Sequence, residues 1–197
     1  NNKEVIGAIL ISGKKDFIAG ADIKSFKGDK VGDFQPFSKK GHELLQKIED
    51  SKKPIISAIH GTCYGLGVEI SLACDARVCS DDSKTKLALP EVKLGLLPGG
   101  GGTQRLPRLI GLQASLDMML TGKNIFPFKA KKIGLVDEVV DQSKLHKAAK
   151  KIVLDIVDNN FKRTKLKKSL VTKLLDGTSI GRLIVFSQAK KTVLKLT

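Results

Sequence analysis

Short apolar runs alternate with glycine-containing turns and amphipathic segments along residues 1–142. The runs are nearly continuous in aliphatic and β-branched residues, which is the pattern of strands covered on both faces. Predicted strands cover 5–11, 55–59, 76–80 and 135–140. One predicted helix begins at Pro36, and others cover 68–74, 104–110 and 113–120. A further helical turn begins at Pro127. This succession of strands and helices predicts an α/β fold.

From residue 143 onward the pattern is that of amphipathic helices. Apolar residues recur there at spacings of three and four, which brings them to one face of a helix. Two more helical segments, 165–176 and 180–196, follow and are separated by a Gly-Thr-Ser turn. We therefore divide the chain into an α/β core at 1–142 and a basic helical tail at 143–197.

Length and composition are those of a globular protein. The chain has 197 residues, of which 41% are hydrophobic, and it contains 19 glycines. This is long enough for a sizeable core and too apolar for a disordered chain. No apolar run approaches the roughly 18 residues that a membrane-spanning helix needs. Membrane-spanning proteins are therefore excluded as a class for this stretch.

The cysteines and histidines predict neither a disulfide framework nor a metal site. Cys63, Cys74 and Cys79 are odd in number and lack C-x-x-C spacing, so we expect buried thiols of a reducing compartment. The three histidines are scattered along the chain without the spacing of metal ligands.

The strongly basic balance predicts anionic partners. The formal net charge is +15, and the isoelectric point is near 9.8. Such a charge suits a phosphate-bearing substrate, a nucleic acid or an acidic surface. Aromatic residues make up only 5% of the chain, which argues against a platform that stacks single-stranded bases. Most of the late lysines are interpreted as the solvated faces of helices.

The most informative stretch is a predicted strand, turn and helix over 54–75. The turn is rich in small residues, and the helix carries Glu69 in its first turn. The first N–H groups of a helix have no partner within the helix, and Gly65 and Gly67 would let a ligand oxygen approach them. A carboxyl group beside an anion-stabilising turn suits chemistry on a carbonyl compound. Taken alone, Glu69 is more simply interpreted as a partner of the helix dipole than as a catalytic group.

A second strand exit has the same character. The strand 5–11 leads to the small residues Ala19, Gly20 and Ala21. If the two strands are neighbours, N–H groups from both turns can point at one oxygen atom at the carboxyl end of the sheet. A brief extended piece then ends at Pro90, which fixes the backbone just before Glu91. Glu91 is therefore a second candidate carboxyl group for the same pocket.

The glycine run at 99–102 does not fit a nucleotide-binding loop. Gln104 and Arg105 occupy the positions that would decide between a dinucleotide fingerprint and a Walker loop, and neither motif is matched. A nucleotide phosphate loop is therefore rejected for this stretch. No NAD-dependent step is expected within these residues.

Three segments together resemble the enoyl-CoA hydratase/isomerase (crotonase) superfamily over about 17–142. They are AGADIKSF, IHGTCYGLGVEISLACD and LPEVKLGLLPGGGGTQRLPRLIG. The tail, LLDGTSIGRLIVFSQAKKTVLKLT, resembles the segment that joins the hydratase domain to a 3-hydroxyacyl-CoA dehydrogenase domain in multifunctional fatty-acid oxidation proteins. The resemblance implies a crotonase-like β-β-α spiral core with a carboxy-terminal helical region. It also implies strands ahead of Asn1, whose absence would impair turnover, and a dehydrogenase domain beyond the tail.

The resemblance assigns roles to individual residues. Glu69 and Glu91 match the two catalytic glutamates, and the backbone N–H groups of Ala21 and Leu66 match the oxyanion hole. The family most often has glycine at the position of Leu66, so this residue is a departure. The implied substrate- and CoA-binding residues are Ala19, Gly20, Asp22, Ile23, Gly65, Pro90 and Gly99.

The implied reaction is the hydration of a trans-2-enoyl-CoA to a 3-hydroxyacyl-CoA, a lyase step of fatty-acid β-oxidation. Glu69 is expected to activate the water and Glu91 to protonate C2, and exchanged roles are the next alternative. Isomerisation of a Δ3 to a Δ2 double bond is possible with the same acids. Coenzyme A enters only as part of the substrate, and its three phosphate groups account for part of the basic charge. No metal is implied, and NAD is needed only in the absent dehydrogenase part.

The resemblance also bears on partners and location. It implies an oligomer, or a complex with a thiolase subunit, located in the bacterial cytoplasm or the mitochondrial matrix. Two other classes of function are kept as alternatives. One is a basic RNA-binding relative of the same family, and the other is a structural role in which the late helices dock on another domain or subunit.

Overall fold

The computed structural model of the chain describes residues 2–22, 35–163 and 170–196. The predicted binding residue Ile23 lies outside the described residues, as does the first part of the predicted helix 165–176. The remaining candidate site residues all lie within the described part.

Two parallel sheets form the framework of the molecule. The strands are β1 (Ala8–Ile11), β2 (Ile55–Ile59), β3 (Thr62–Tyr64), β4 (Ala76–Ser80), β5 (Lys86–Ala88) and β6 (Glu138–Val140). The larger sheet has the order β1-β2-β4-β6, and its strands are parallel throughout. The pairing of β1 with β2 puts the two strand exits beside each other, as the neighbour hypothesis required.

The second sheet was not predicted. The stretch 61–67, interpreted from its small residues as a turn, contains β3, which pairs in parallel with β5. Single bridges extend this layer, from Ile18 to Cys63 on one side and from Leu87 to Ile125 on the other. After β1, β2 and β4 the chain therefore steps from the larger sheet into the smaller layer. After β3 it then enters a helix, which makes the unit a strand, a strand and a helix.

The helices follow the predicted positions with shifts of a few residues. They are α1 (Gln35–Glu49), α2 (Leu66–Ala73), α3 (Gly102–Ile110), α4 (Leu112–Thr121), α5 (Pro127–Lys132), α6 (Leu145–Val157), α7 (Leu170–Gly177) and α8 (Ser179–Leu196). Short 3-10 helices occupy Pro90–Leu94 and Gln142–Lys144. The predicted extended piece over 87–91 is present as β5, but it ends before Pro90, where the first of these 3-10 helices begins. Proline suits the first position of a helical turn because its missing N–H would have no acceptor there.

Two apolar clusters cover the faces of the larger sheet. On one face, α6 packs its buried Ala149, Ile152 and Val153 against alternate residues of β2 such as Ile56. On the other face, α2, α3 and α4 pack with residues such as Leu106 against the second sheet. α6, which follows the predicted boundary at residue 142, thus packs on the core sheet. The boundary itself stays a prediction. All three cysteine side chains are buried, as predicted.

A buried arginine anchors the carboxyl end of α2. The guanidinium of Arg77 donates to the carbonyl oxygens of Ser71 and Cys74, each at 3.0 Å, and to that of Leu135 at 3.0 Å. Its charge is paired with Asp137 at 3.4 Å. A cation at this position complements the negative end of the helix dipole. The helix that carries Glu69 is therefore held at its far end by a charged group that donates to the carbonyl oxygens of Ser71 and Cys74.

The described helices include none that is both long enough and apolar enough to span a membrane.

Candidate active site

The start of α2 presents unpaired N–H groups at the exit of β2 and β3. Gly65 precedes the helix with φ of 53°, a conformation that favours glycine. Leu66 is the first helical residue, so its N–H has no acceptor within the helix. Among the described residues, the N–H groups of Ala21 and Leu66 donate no hydrogen bond. The leucine also has a negative φ, which leaves its N–H usable as a donor.

The two strand exits lie against each other. The N–H of Tyr64 donates to the carbonyl oxygen of Ile18 at 2.9 Å. A Cβ atom added to Gly65 would lie 3.8 Å from the Cα of Gly20. A Cβ atom added to Gly67 would lie only 2.3 Å from the oxygen of Ile18. Glycine at position 67 therefore permits the close approach that brings the two donor segments together.

Glu69 is held by the glycine run and not by the start of its own helix. Its side chain is 2% exposed, and Oε1 accepts hydrogen bonds from the N–H groups of Gly100 and Gly102, each at 2.8 Å. A Cβ atom added to Gly100 would lie 2.6 Å from Oε2. Glu69 lies in the first turn of α2, as the helix-dipole interpretation requires, but its hydrogen-bond partners come from the glycine run. The run of four glycines, which matched no nucleotide motif, was the sequence signal for this partner.

Glu91 lies close to Gly65. A Cβ atom added to Gly65 would lie 3.2 Å from Oε1 of Glu91. Oε2 is buried and makes no hydrogen bond with any described residue. The pKa of this carboxyl group is raised to about 7. Burial is the largest cause, its own backbone N–H opposes the rise, and the nearby Glu69 adds to it. A carboxyl group without donors around one oxygen favours its protonated form.

The two acids share a raised pKa but differ in what opposes the rise. The pKa of Glu69 lies above its ordinary value because burial raises it most, while the N–H groups of Gly102 and Gly100 lower it, followed by His42 and Arg105. The negative charge of Glu69 adds to the rise in the pKa of Glu91. Two acids with different surroundings suit one base and one acid.

The other predicted binding residues occupy the same region in part. Ala19, Gly20 and Asp22 belong to the segment that follows the buried Phe17, and Asp22 is exposed. Pro90 begins the 3-10 helix that carries Glu91. The carbonyl oxygen of Gly99 is bound by side chains of α1.

Sequence reasoning missed two residues at the glycine run. Ser38 Oγ donates to the oxygen of Gly99 at 3.0 Å, and His42 Nε2 contacts the same oxygen at 2.6 Å. Both residues lie on α1, which the sequence analysis treated only as an amphipathic helix. Their distance along the chain from the run, about 60 residues, left no local signal.

In the part of the chain that the structure describes, no group of three or more histidine, cysteine or acidic residues could hold a metal ion.

The model described as enoyl-CoA hydratase/isomerase matches residues 1–187. The fatty acid oxidation complex subunit alpha of Shewanella putrefaciens is 52% identical over 199 residues, and that of Shewanella amazonensis is 52% identical over 198. Each match covers 100% of this chain and 28% of the relative. The chain thus spans little more than a quarter of the length of these curated relatives.

Solved structures agree in fold. An enoyl-CoA hydratase from Bacillus anthracis is similar with a TM-score of 0.70 and 31% identity, covering 96% of this chain and 73% of that chain. An enoyl-CoA hydratase from Thermoplasma volcanium is similar with a TM-score of 0.72 and 26% identity, covering 98% and 76%. The predicted fold class, an α/β crotonase-like core, is confirmed by these similarities.

Proposed function

The chain belongs to the enoyl-CoA hydratase/isomerase family, and from that premise we propose that it hydrates trans-2-enoyl-CoA thioesters to 3-hydroxyacyl-CoA. The observation that carries the proposal is the pair of acids, the buried Glu69 and the half-buried Glu91, beside unpaired backbone N–H groups. One acid is held by two N–H donors, and the other has a buried oxygen without a partner.

The thioester oxygen is proposed to bind between the N–H groups of Ala21 and Leu66. Both groups are free of other acceptors among the described residues, and their segments are in contact. Addition to the double bond builds negative charge on this oxygen as an enolate forms. Losing one donor of such a pair typically costs about 3 kcal/mol of transition-state stabilisation.

Glu69 is proposed as the base that activates water. Its two N–H donors favour the carboxylate and fix its orientation. The carboxylate takes one proton from water as the oxygen attacks C3 of the substrate. The electron pair of the double bond moves toward C2 and the thioester oxygen.

Glu91 is proposed as the acid that protonates C2. A pKa of about 7 keeps a large protonated fraction near neutral pH and also lets the group release a proton. Transfer of this proton to C2 collapses the enolate and gives the 3-hydroxyacyl thioester. Return of the proton from Glu69 to Glu91, directly or through solvent, restores both acids.

Isomerase activity is a second candidate on the same site. The family description includes isomerases, and an acid near pKa 7 beside an oxyanion site can move a proton between carbons. We propose it as a side activity that uses the same acids as hydration.

The place in metabolism is proposed from the relatives. They are alpha subunits of fatty acid oxidation complexes. We propose that this chain supplies the hydratase step of such a complex, acting on acyl-CoA thioesters. The next step would then oxidise the 3-hydroxyacyl product, and a dehydrogenase part of the same protein would perform it.

The test measures loss of the conjugated enoyl thioester by ultraviolet absorbance, with crotonyl-CoA and the full-length protein. Glu69→Gln and Glu91→Gln are each expected to lower kcat by about 10²–10⁴-fold, since each removes a proton-transfer group. Glu43→Gln, an exposed acid of α1, is the matched control and should keep wild-type activity. Normal activity in a protein carrying both glutamine changes would refute the proposal.

A further inference from the structure

One stripe of α1 lies against the glycine run that holds Glu69. Its residues are Ser38, His42, Leu45 and Glu49. Spacings of four, three and four residues bring them to the same face of a helix. Each of the four contacts the run or a residue bonded to it.

The oxygen of Gly99 is held by two side chains of this stripe. Ser38 Oγ donates to it at 3.0 Å, and His42 Nε2 lies 2.6 Å away. A carbonyl oxygen can only accept a hydrogen bond, so Nε2 of His42 carries the proton. The histidine acts here as a donor in both its Nε2–H neutral form and its cationic form.

The next turns of α1 hold Gly100. A Cβ atom added to Gly100 would lie 3.1 Å from Cδ1 of the buried Leu45. Glu49 Oε2 accepts from Arg105 at 2.9 Å and 2.8 Å, and Arg105 in turn donates to the oxygen of Gly100 at 3.1 Å. Contacts with α1 therefore hold Gly99 directly, and Gly100 through Leu45 and the Glu49–Arg105 pair.

The planarity of the peptide between Gly99 and Gly100 couples these contacts to the orientation of Glu69. The carbonyl of Gly99 and the N–H of Gly100 belong to one rigid plane and point in opposite directions. Fixing the carbonyl on Ser38 and His42 therefore aims the N–H at Oε1 of Glu69, 2.8 Å away. The second donor, Gly102, has a separate anchor, because the oxygen of Gly101 accepts from the start of α3.

A glycine run needs such an anchor to hold its shape. Glycine has the widest range of accessible backbone conformations, so a donor within a glycine run is lost easily when its neighbours are free to rotate. The close approach to Glu69 excludes larger residues at position 100. Rigidity must therefore come from outside the run.

We propose that Ser38 and His42 are positioning residues for the water-activating carboxylate. They fix the peptide between Gly99 and Gly100 and so keep Glu69 oriented. This rests on the proposed role of Glu69 as the base. Neither residue is assigned a contact with substrate, so their removal lowers kcat and leaves KM unchanged.

The test uses the double variant Ser38→Ala with His42→Leu in the full-length protein. It is expected to lower kcat for crotonyl-CoA roughly tenfold, with KM within about twofold of wild type. The single variant His42→Gln leaves Ser38 in place and keeps a side-chain N–H donor at position 42. It should therefore retain most of the kcat that the double variant loses. Lys40→Ala, exposed on the same helix, is the matched control and should behave as wild type.

Hydrogen–deuterium exchange gives a second readout that does not depend on turnover. Peptides covering residues 98–104 should exchange faster in the double variant and near the wild-type rate in His42→Gln. Unchanged exchange with unchanged kcat, or a rise in KM alone, would overturn the proposal. A wild-type protein that does not hydrate crotonyl-CoA would overturn the proposed function, and exchange would still decide whether Ser38 and His42 hold the run.

Discussion

Glu69 and Glu91 differ in the number of donors around their oxygens, and the proposed mechanism assigns their roles from this difference. Glu69 receives two backbone N–H groups, while Oε2 of Glu91 receives none among the described residues. In the proposed mechanism, two identical side chains therefore act as a base and an acid. The motif predicts both glutamates, but only their surroundings separate the roles.

Glu91 should make the folded protein less stable as pH rises from about 4.5 to 7. Its pKa is raised from 4.5 to about 7, so the folded state binds this proton more tightly than the unfolded chain. Stability from this group is fully present below the unfolded pKa and is lost as pH rises through the folded pKa. Glu91→Gln should therefore raise the free energy of unfolding at pH 8 by about 1–2 kcal/mol, after allowance for solvent screening.

Urea unfolding at pH 8 and pH 4 measures this difference, and the gain should disappear at pH 4. Glu43→Gln controls for removing an exposed acid. An equal gain at both pH values would mean that ionisation of Glu91 is not its cause.

At the scale of elements, the proposed oxyanion site needs both the start of α2 and the segment that follows β1, which lie in contact. The helix supplies the N–H of Leu66 and the side chain of Glu69, while the segment after β1 supplies Ala21. Arg77 anchors the opposite end of the helix. The contact between the two donor segments passes through Gly67, which has no room for a side chain.

Gly67→Ala should therefore disturb both stability and catalysis. The added methyl group would lie 2.3 Å from the oxygen of Ile18, and backbone must shift to accept it. We expect the free energy of unfolding to fall by about 2–4 kcal/mol and kcat to fall with it. Gly13→Ala, where an added Cβ would meet nothing within 4 Å, is the matched control. Urea unfolding of both variants checks the difference, and equal stabilities would contradict the assigned contact.

At the scale of the whole molecule, the charge is the dominant feature. The net charge of +15 extends over a fold whose relatives act within fatty acid oxidation complexes. A field of this sign attracts polyanions and is weakened by salt. The phosphate groups of a CoA thioester make it such a polyanion.

The KM for crotonyl-CoA should therefore rise with salt. Between about 20 and 300 mM we expect an increase of about two- to tenfold, because the Debye length shortens over this range. Crotonyl-pantetheine, which lacks the phosphates, is the matched control and should show little change. An equal salt dependence of both substrates would show that the basic surface does not act on the phosphates.

Much of the fold followed from local patterns. The strands at 55–59 and 76–80 were predicted at their observed bounds, because continuous apolar runs leave few other solutions. The second sheet was missed, since Thr62–Tyr64 is only three residues long and lies among glycines. A strand that short is defined by its partners β5 and Ile18, which are distant in sequence.

The sequence by itself determined which residues are available for chemistry: two glutamates, small residues at two strand exits and a run of glycines. These follow from residue type and local spacing, which act within a few residues along the chain. Only the tertiary structure decided that Gly100 and Gly102 hold Glu69, that Oε2 of Glu91 has no hydrogen-bond partner among the described residues, and that α1 binds the glycine run. Hydrogen bonds and desolvation depend on atoms within a few ångströms in space, and about 30 to 60 residues of chain separate these partners.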